Sequence, residues 1–251
     1  MNDPILKQVH LAAQYLAMAG ASFLPQKKDD SHTNMAFIPE TGTLETRLLN
    51  NSGVQLIFDY SEFSLKWGAN TKESFPLDGK SHKEIIAWID EMASTIFWAK
   101  GYAYVLHYNI PYSATGDFKF RLPNADGLKE LLRLRKLAHL VLHSFLNGEG
   151  LQSDIRVWPH HFDTGAFVLL DEHSGKSLGL GMAIPDAICD EHYFYISGYL
   201  GHDAIDVSNY KKITYGTWKN TNIKGALLPA TKVDPDSAIQ FFQEALKSYR
   251  H

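Results

Sequence analysis

Segments with the alternation of β-strands occur in two groups along the chain, and each group lies between segments with helical periodicity. The stretch FVLLDEHSGKSLGLG at 167–181 joins two strand-like runs through a short polar turn, which is typical of an antiparallel hairpin. Helical periodicity is clear at 5–19, after Ser81, at 127–146 and after Pro235. Grouped strands favour the α+β class over alternating βαβ units. We therefore predict antiparallel sheets with flanking helices.

The two halves of the chain, 1–101 and 124–251, share the order helix, strands, helix. A proline, an acidic residue and Thr-Gly recur in FIPETGTLETRLL at 37–49 and in VWPHHFDTGAFVLL at 157–170. An internal duplication and a chance likeness of helix-and-strand patterns both account for this similarity. A chain of 251 residues is long enough for a sizeable core. We predict a single compact domain over 1–251, with duplication as an open alternative.

Composition excludes several classes of partner. The formal net charge is −4 and no block of Lys and Arg occurs, which argues against nucleic acid or an anionic membrane as the main partner. No run approaches the roughly 18 to 20 apolar residues of a transmembrane helix. The single cysteine, Cys189, has no second cysteine to pair with in the chain, so a cytoplasmic location is expected. The oligomeric state is not predictable from these features.

Seven of the twelve histidines lie between 139 and 202. His139 and His143 are four residues apart on a predicted helix and therefore share a face. If RVWPHHFDTGAF is a strand, His161 and Asp163 point the same way and His160 points to the other face. These four residues, His139, His143, His161 and Asp163, offer nitrogen and oxygen ligands suited to zinc or iron. A divalent metal site is one hypothesis, and ordinary hydrogen bonds of the helix histidines are the alternative.

Two further hypotheses need no metal. His161 could act as a general base that Asp163 orients, as in a hydrolase. Alternatively, Trp158, His160, Tyr193 and Tyr195 could line a small-molecule pocket. Alternation in HYFYISGY places both tyrosines on one face and Phe194 and Ile196 on the other, so the tyrosine side is the expected pocket wall.

Basic residues on the helix at 127–146 have a simpler interpretation. Arg133, Arg135 and Lys136 are expected to form a solvated face. Anion binding by this face is the weaker alternative.

Three motifs in order, WPHHFD at 158–163, EHYFYI at 191–196 and GALLPA at 225–230, resemble the signature of an uncharacterised family, a domain of unknown function. The family strand is usually Glu-Pro-Tyr-Phe-Tyr, whereas this chain has His192 after Glu191. The resemblance implies no activity. It implies that Trp158, His160, His161, Asp163 and the tyrosine strand belong to one site.

Three functions follow from these patterns. The leading prediction is a protein with a small-molecule or metal-ligand pocket around the WPHHFD segment. A hydrolase that uses His161 and Asp163 is the second. An interaction module with structural histidines is the third.

Overall fold

The computed structural model describes residues 3–68, 73–97, 100–114, 116–122, 124–221, 223–231 and 233–250. Within these ranges the chain forms four helices and two antiparallel sheets, one of five strands and one of seven. The predicted α+β class is therefore confirmed. None of the helices in these ranges combines the length and the apolar character needed to cross a bilayer.

Two compact units divide the chain. The N-terminal unit comprises Asn2–Leu134 together with Val157–His160, and the C-terminal unit comprises Arg135–Arg156 together with His161–His251. The single domain and the duplication of 1–101 and 124–251 stay predictions. The two sheets differ in strand number, five against seven, so a duplication would have to include later additions.

The N-terminal unit is built on a buried helix. Helix α1 (Pro4–Phe23) begins at Asp3, whose side chain accepts hydrogen bonds from the amides of Ile5 and Leu6, with a proline in the first turn. Nearly every position of α1 is buried, as expected of a helix that is apolar around most of its circumference. The sheet has the order of the chain: β1 (Ala36–Ile38), β2 (Thr43–Glu45), β3 (Leu56–Asp59), β4 (Ser64–Trp67) and β5 (Ser74–Pro76). Helix α2 (His82–Phe97) follows, and Ser81 and Glu84 form a capping box at its start.

An extended segment, 102–121 without residue 115, runs antiparallel along α1 and has no regular secondary structure beyond an isolated bridge. Ser22 bonds the backbone of Ala103, and Gln8 bonds the backbone of Arg121 at the other end. Between these ends, tyrosine side chains contact the polar residues of α1. This segment supplies hydrogen-bond partners for polar side chains that α1 would otherwise bury without them.

Helix α3 (Ala125–Gly148) enters the C-terminal unit at Arg135. This unit contains a sheet of seven strands: β6 (Arg156–Val157), β7 (Thr164–Asp171), β8 (Lys176–Ala183), β9 (Tyr193–Leu200), β10 (Asp203–Ala204), β11 (Thr217–Asn220) and β12 (Lys224–Pro229). The strand order is β11-β12-β9-β8-β7-β6, and β10 pairs with β9. Helix α4 (Pro235–Arg250) begins behind the Asp234 cap.

The two faces of this sheet are different. Phe194 stacks edge-on against Phe242 of α4 with ring centroids 5.8 Å apart, and Gly198 lies against Tyr249. Even-numbered residues of β9 therefore face α4. Tyr193, Tyr195 and Tyr199 point to the opposite side, which we call the tyrosine face. The predicted alternation of this strand is confirmed.

Candidate functional site

The Pro-His-His part of the WPHHFD segment is a turn and not a strand. Strand β6 ends at Val157, residues 159–161 turn, and β7 begins at Thr164. The prediction of one continuous strand is wrong because Pro159 has no amide hydrogen for a sheet ladder and Phe162 has a left-handed φ of 55°. The predicted facing of His160 and His161, which assumed strand alternation, has no basis in a turn.

Two side chains of α1 bind the first part of this turn at the carbonyl group of Pro159. The Pro159 oxygen accepts hydrogen bonds from His10 Nε2 at 2.7 Å and from Gln14 Nε2 at 2.9 Å. Because a carbonyl only accepts, His10 carries its proton on Nε2, and in the neutral ring Nδ1 accepts from the Tyr112 hydroxyl. Tyr108 donates to Gln14 Oε1 at 2.6 Å. We call His10, Gln14, Tyr108, Tyr112 and Pro159 the histidine–glutamine network.

Two of the predicted ligand-binding residues lie beside this network. The ring of His160 is 5.8 Å from that of Tyr108 and 6.2 Å from that of Trp158, measured between centroids. Both Trp158 and His160 are half-buried and belong to the N-terminal unit. Tyr193 and Tyr195, the other two, belong to the C-terminal unit. Aromatic packing describes the surroundings of His160 well.

In the C-terminal unit, Arg135 holds the second part of the WPHHFD segment. Its guanidinium donates to Thr164 Oγ1 at 2.6 Å and to the Phe162 carbonyl at 3.2 Å, and it lies 4.5 Å from the Phe162 ring centroid. Arg135 is only 6% exposed, so its assignment to a solvated face is wrong, although Arg133 and Lys136 are exposed. These contacts stabilise the strained φ of Phe162 and fix the position of Asp163 between them.

Asp163, which lies immediately before the start of β7, joins the tyrosine face. The Tyr195 hydroxyl donates to Asp163 Oδ2, and Asp163 is 7% exposed. Glycine makes this contact possible, because a Cβ at Gly181 would lie 2.9 Å and a Cβ at Gly165 3.1 Å from the Tyr195 oxygen. The tyrosine ring therefore crosses two strands over positions without side chains. Neither glycine was singled out as a site residue from the sequence.

A second tyrosine–carboxylate pair lies on the same face. Tyr193 donates to Asp186 Oδ2 at 2.8 Å, while Asp186 Oδ1 accepts from the amides of Ile188 and Cys189. Asp186 is exposed and is positioned by its own loop, 184–192. The tyrosine face thus carries two successive outward tyrosines of β9, each bonded to a carboxylate. We call Tyr193, Tyr195, Asp163 and Asp186 the tyrosine–aspartate pairs.

The electrostatics of these pairs keep both tyrosines protonated. Burial raises the pKa of Tyr195 well above its ordinary value, and the charge of Asp163 raises it further. Burial and the bond to Asp186 likewise raise the pKa of Tyr193. Each phenol is therefore a permanent donor at neutral pH, and each carboxyl group has further lone pairs that can accept from additional donors.

The predicted metal ligands lie on α3 and in the WPHHFD segment. His139 and His143 do share a face of α3, with parallel rings 6.1 Å apart, but His143 bonds Asn147 one turn further along the helix. Asp163 is buried against Tyr195, whereas His161 is exposed. In the ranges that the structure describes, no three His, Cys, Asp or Glu side chains are placed to hold one ion. The four-residue metal site therefore stays a prediction.

Comparison with protein-family models, curated protein sequences and solved structures found no match to this chain. The resemblance to a family with the Trp-Pro-His-His-Phe-Asp signature therefore stays a prediction. The function proposed below depends on the geometry of the site alone.

Proposed function

We propose that the protein binds a small organic molecule on the tyrosine face of the C-terminal unit, at the tyrosine–aspartate pairs. The observation that carries the proposal is that Tyr193 and Tyr195, two residues apart on one face of β9, each bond a carboxylate. A few polar groups that converge within apolar surroundings are typical of small-molecule sites. Turnover of the bound molecule is not part of the proposal.

The chemistry of the pairs defines the kind of molecule. Carboxylates accept hydrogen bonds, so the ligand would carry N–H or O–H donors for Asp163 and Asp186. The tyrosine face also includes Phe167, which is 60% exposed and pairs in register with Gly179. An exposed aromatic ring beside a glycine offers a flat apolar contact for a ligand.

Backbone strain supports the same location. Phe162 is one of three non-glycine residues with positive φ in the described part of the chain, and it directly precedes Asp163. Strain of this type costs on the order of 1 to 3 kcal/mol and clusters at binding and catalytic sites. The contacts from Arg135 offset that cost and hold the carboxylate in place.

The hydrolase hypothesis, which requires Asp163 to orient His161, stays a prediction. The hydrogen bond from Tyr195 to Asp163 is the contact that the binding proposal uses. The interaction-module hypothesis fits His160, whose ring packs between aromatic neighbours, but it leaves the tyrosine–aspartate pairs without a role.

A fragment screen with isosteric charge variants tests the proposal. Small amines, alcohols and nitrogen heterocycles would be screened by thermal shift against the wild type, and dissociation constants measured for those that bind. Asp163→Asn and Asp186→Asn should weaken binding at least about tenfold, since each removes a charged acceptor. Asp190→Asn is the matched control, because Asp190 is exposed, lies in the same loop as Asp186, and loses the same charge. The proposal fails if no fragment binds, or if all three variants bind equally well.

A further inference from the structure

The C-terminal unit contains a cavity whose lining includes none of the tyrosine–aspartate pairs. Its volume is about 300 Å³, which is at the lower end of the range for small-molecule sites. It is located where the hairpin of β7 and β8 meets the ends of α3 and α4. Its apolar wall consists of Leu151, Leu169, Leu170 and Tyr249.

Two cationic side chains line the same cavity, and their surroundings differ. Arg250 bonds Glu149 at 2.9 Å, so its charge is already paired. Lys176 forms no ion pair within 4.0 Å with any carboxylate of the described residues. The remaining charged lining residue, Asp171, directs its carboxylate into its own turn, where it accepts from the His173 amide at 3.0 Å and the Ser174 hydroxyl at 2.6 Å.

An apolar wall beside an ammonium that makes no direct ion pair, although Asp171 faces it across the β7–β8 register, favours an amphiphilic anion. We propose that this cavity binds a free medium-chain carboxylic acid, with the carboxylate at Lys176 and the alkyl chain against the leucines. The formal charges of Lys176 and Arg250 are balanced by those of Asp171 and Glu149, so a ligand with more than one negative charge would leave a larger uncompensated charge than a monoanion does. Most of the affinity comes from the alkyl chain, because an exposed ion pair contributes little.

Calorimetric titration with hexanoate, octanoate and decanoate tests the inference on the intact chain. Affinity should rise by about fourfold for each methylene until the cavity is filled. Octanol and octylammonium are the matched probes of charge, and both should bind at least about fivefold more weakly than octanoate. Equal or tighter binding of octylammonium would overturn the assignment of an anion, and a failure of all three carboxylates to bind would overturn the site.

Variants separate this cavity from the tyrosine–aspartate pairs. Lys176→Gln should weaken octanoate binding about fivefold or more, whereas Lys224→Gln, an exposed change at the start of β12, should leave it unchanged. Asp163→Asn should also leave octanoate binding unchanged, so failure of this inference and failure of the proposed function give different results. Octanoate binding that is equal in the Lys176→Gln and Lys224→Gln variants would contradict the inference.

Discussion

The histidine–glutamine network and the tyrosine–aspartate pairs are both polar clusters, but their surroundings differ. In the network, Gln14 is completely buried and His10 is 1% exposed. Hydrogen bonds link these two residues of α1 to the tyrosines of the extended segment and to the Pro159 carbonyl. In the pairs, Asp186 is exposed and Tyr195 is half-buried, so part of the cluster is open to solvent. A polar cluster closed on itself stabilises a fold, whereas one that keeps acceptors at the surface can bind.

The WPHHFD segment contributes to both clusters. Its histidines suggest a site, yet its hydrogen bonds in the network are accepted by the Pro159 carbonyl. Asp163, five residues after Trp158, takes part in the tyrosine–aspartate pairs. The motif therefore combines a structural half and a candidate binding half, which belong to different compact units.

The largest expected loss of stability comes from adding a side chain at Gly181, which lies beneath the Tyr195 ring. Gly181→Val should lower the free energy of unfolding by about 3 kcal/mol, because its side chain would overlap the Tyr195 hydroxyl and the backbone of Thr164. Urea denaturation measures the change. Gly148→Val is the control, since a Cβ there meets no atom within 4 Å, and it should change stability by less than about 0.5 kcal/mol. Equal effects of both substitutions would contradict the described contact.

A somewhat smaller loss is expected from opening the histidine–glutamine network. Gln14→Leu removes one of the two donors to the buried Pro159 carbonyl and the acceptor of the half-buried Tyr108 hydroxyl, so stability should fall by about 2 kcal/mol. Fragment binding at the tyrosine face should remain. The exposed control Gln240→Ala should lose no more than about 0.5 kcal/mol. Loss of fragment binding in folded Gln14→Leu protein would show that the network is part of the binding site.

The third prediction concerns the hydrogen bond between Tyr195 and Asp163. Tyr195→Phe keeps the ring and removes the donor to a buried carboxylate, so stability should fall by about 1.5 kcal/mol. Tyr199→Phe on the same strand should have almost no effect, because the Tyr199 hydroxyl bonds no group in the described part of the chain. Urea denaturation of the two variants side by side decides the matter. Equal stabilities would mean that the bond contributes nothing.

The smallest effect is a pH dependence in the N-terminal unit. Burial lowers the pKa of His82, whose Nδ1 accepts from the Tyr15 hydroxyl at 2.8 Å. The unfolded chain therefore binds a proton at higher pH than the folded protein, so the contribution of neutral His82 is present above the ordinary pKa of 6.5 and is lost as pH falls through that value toward the folded pKa. Melting temperatures between about pH 7.5 and pH 5 should fall more for the wild type than for His82→Gln. Parallel curves would contradict this.

Local patterns predict much of this fold. The helix behind Pro235 and the alternation of β9 depend on neighbours in sequence, and both are present in the structure. The segment 103–113 is extended and joins no sheet, because side chains of α1 are its partners. The segments 35–49 and 54–67 are each divided into two short strands by a turn, with positive φ at Gly42 and Phe63.

The candidate site is less accessible to sequence reasoning. The bond from His10 to Pro159 joins residues 149 positions apart, and no periodicity indicates it. The burial of Arg135 depends on Phe162 and Thr164, which α3 meets only in the folded unit. Asp186 pairs with Tyr193 because of the conformation of one loop. Tyr193, Tyr195 and Asp163 are predicted as site residues, whereas Gly165, Gly181 and Asp186 are found only from the fold.

Amide chemical-shift mapping of bound fragments tests the central claim most directly. With ¹⁵N-labelled protein and the tightest fragment from the screen, the account predicts that the largest shifts fall at 162–165, 184–192 and 193–199 in the C-terminal unit. The amides of Gln8–Tyr15 on α1 should be unaffected. Shifts centred on α1 and the extended segment would contradict the account, because the histidine–glutamine network would then be the binding site.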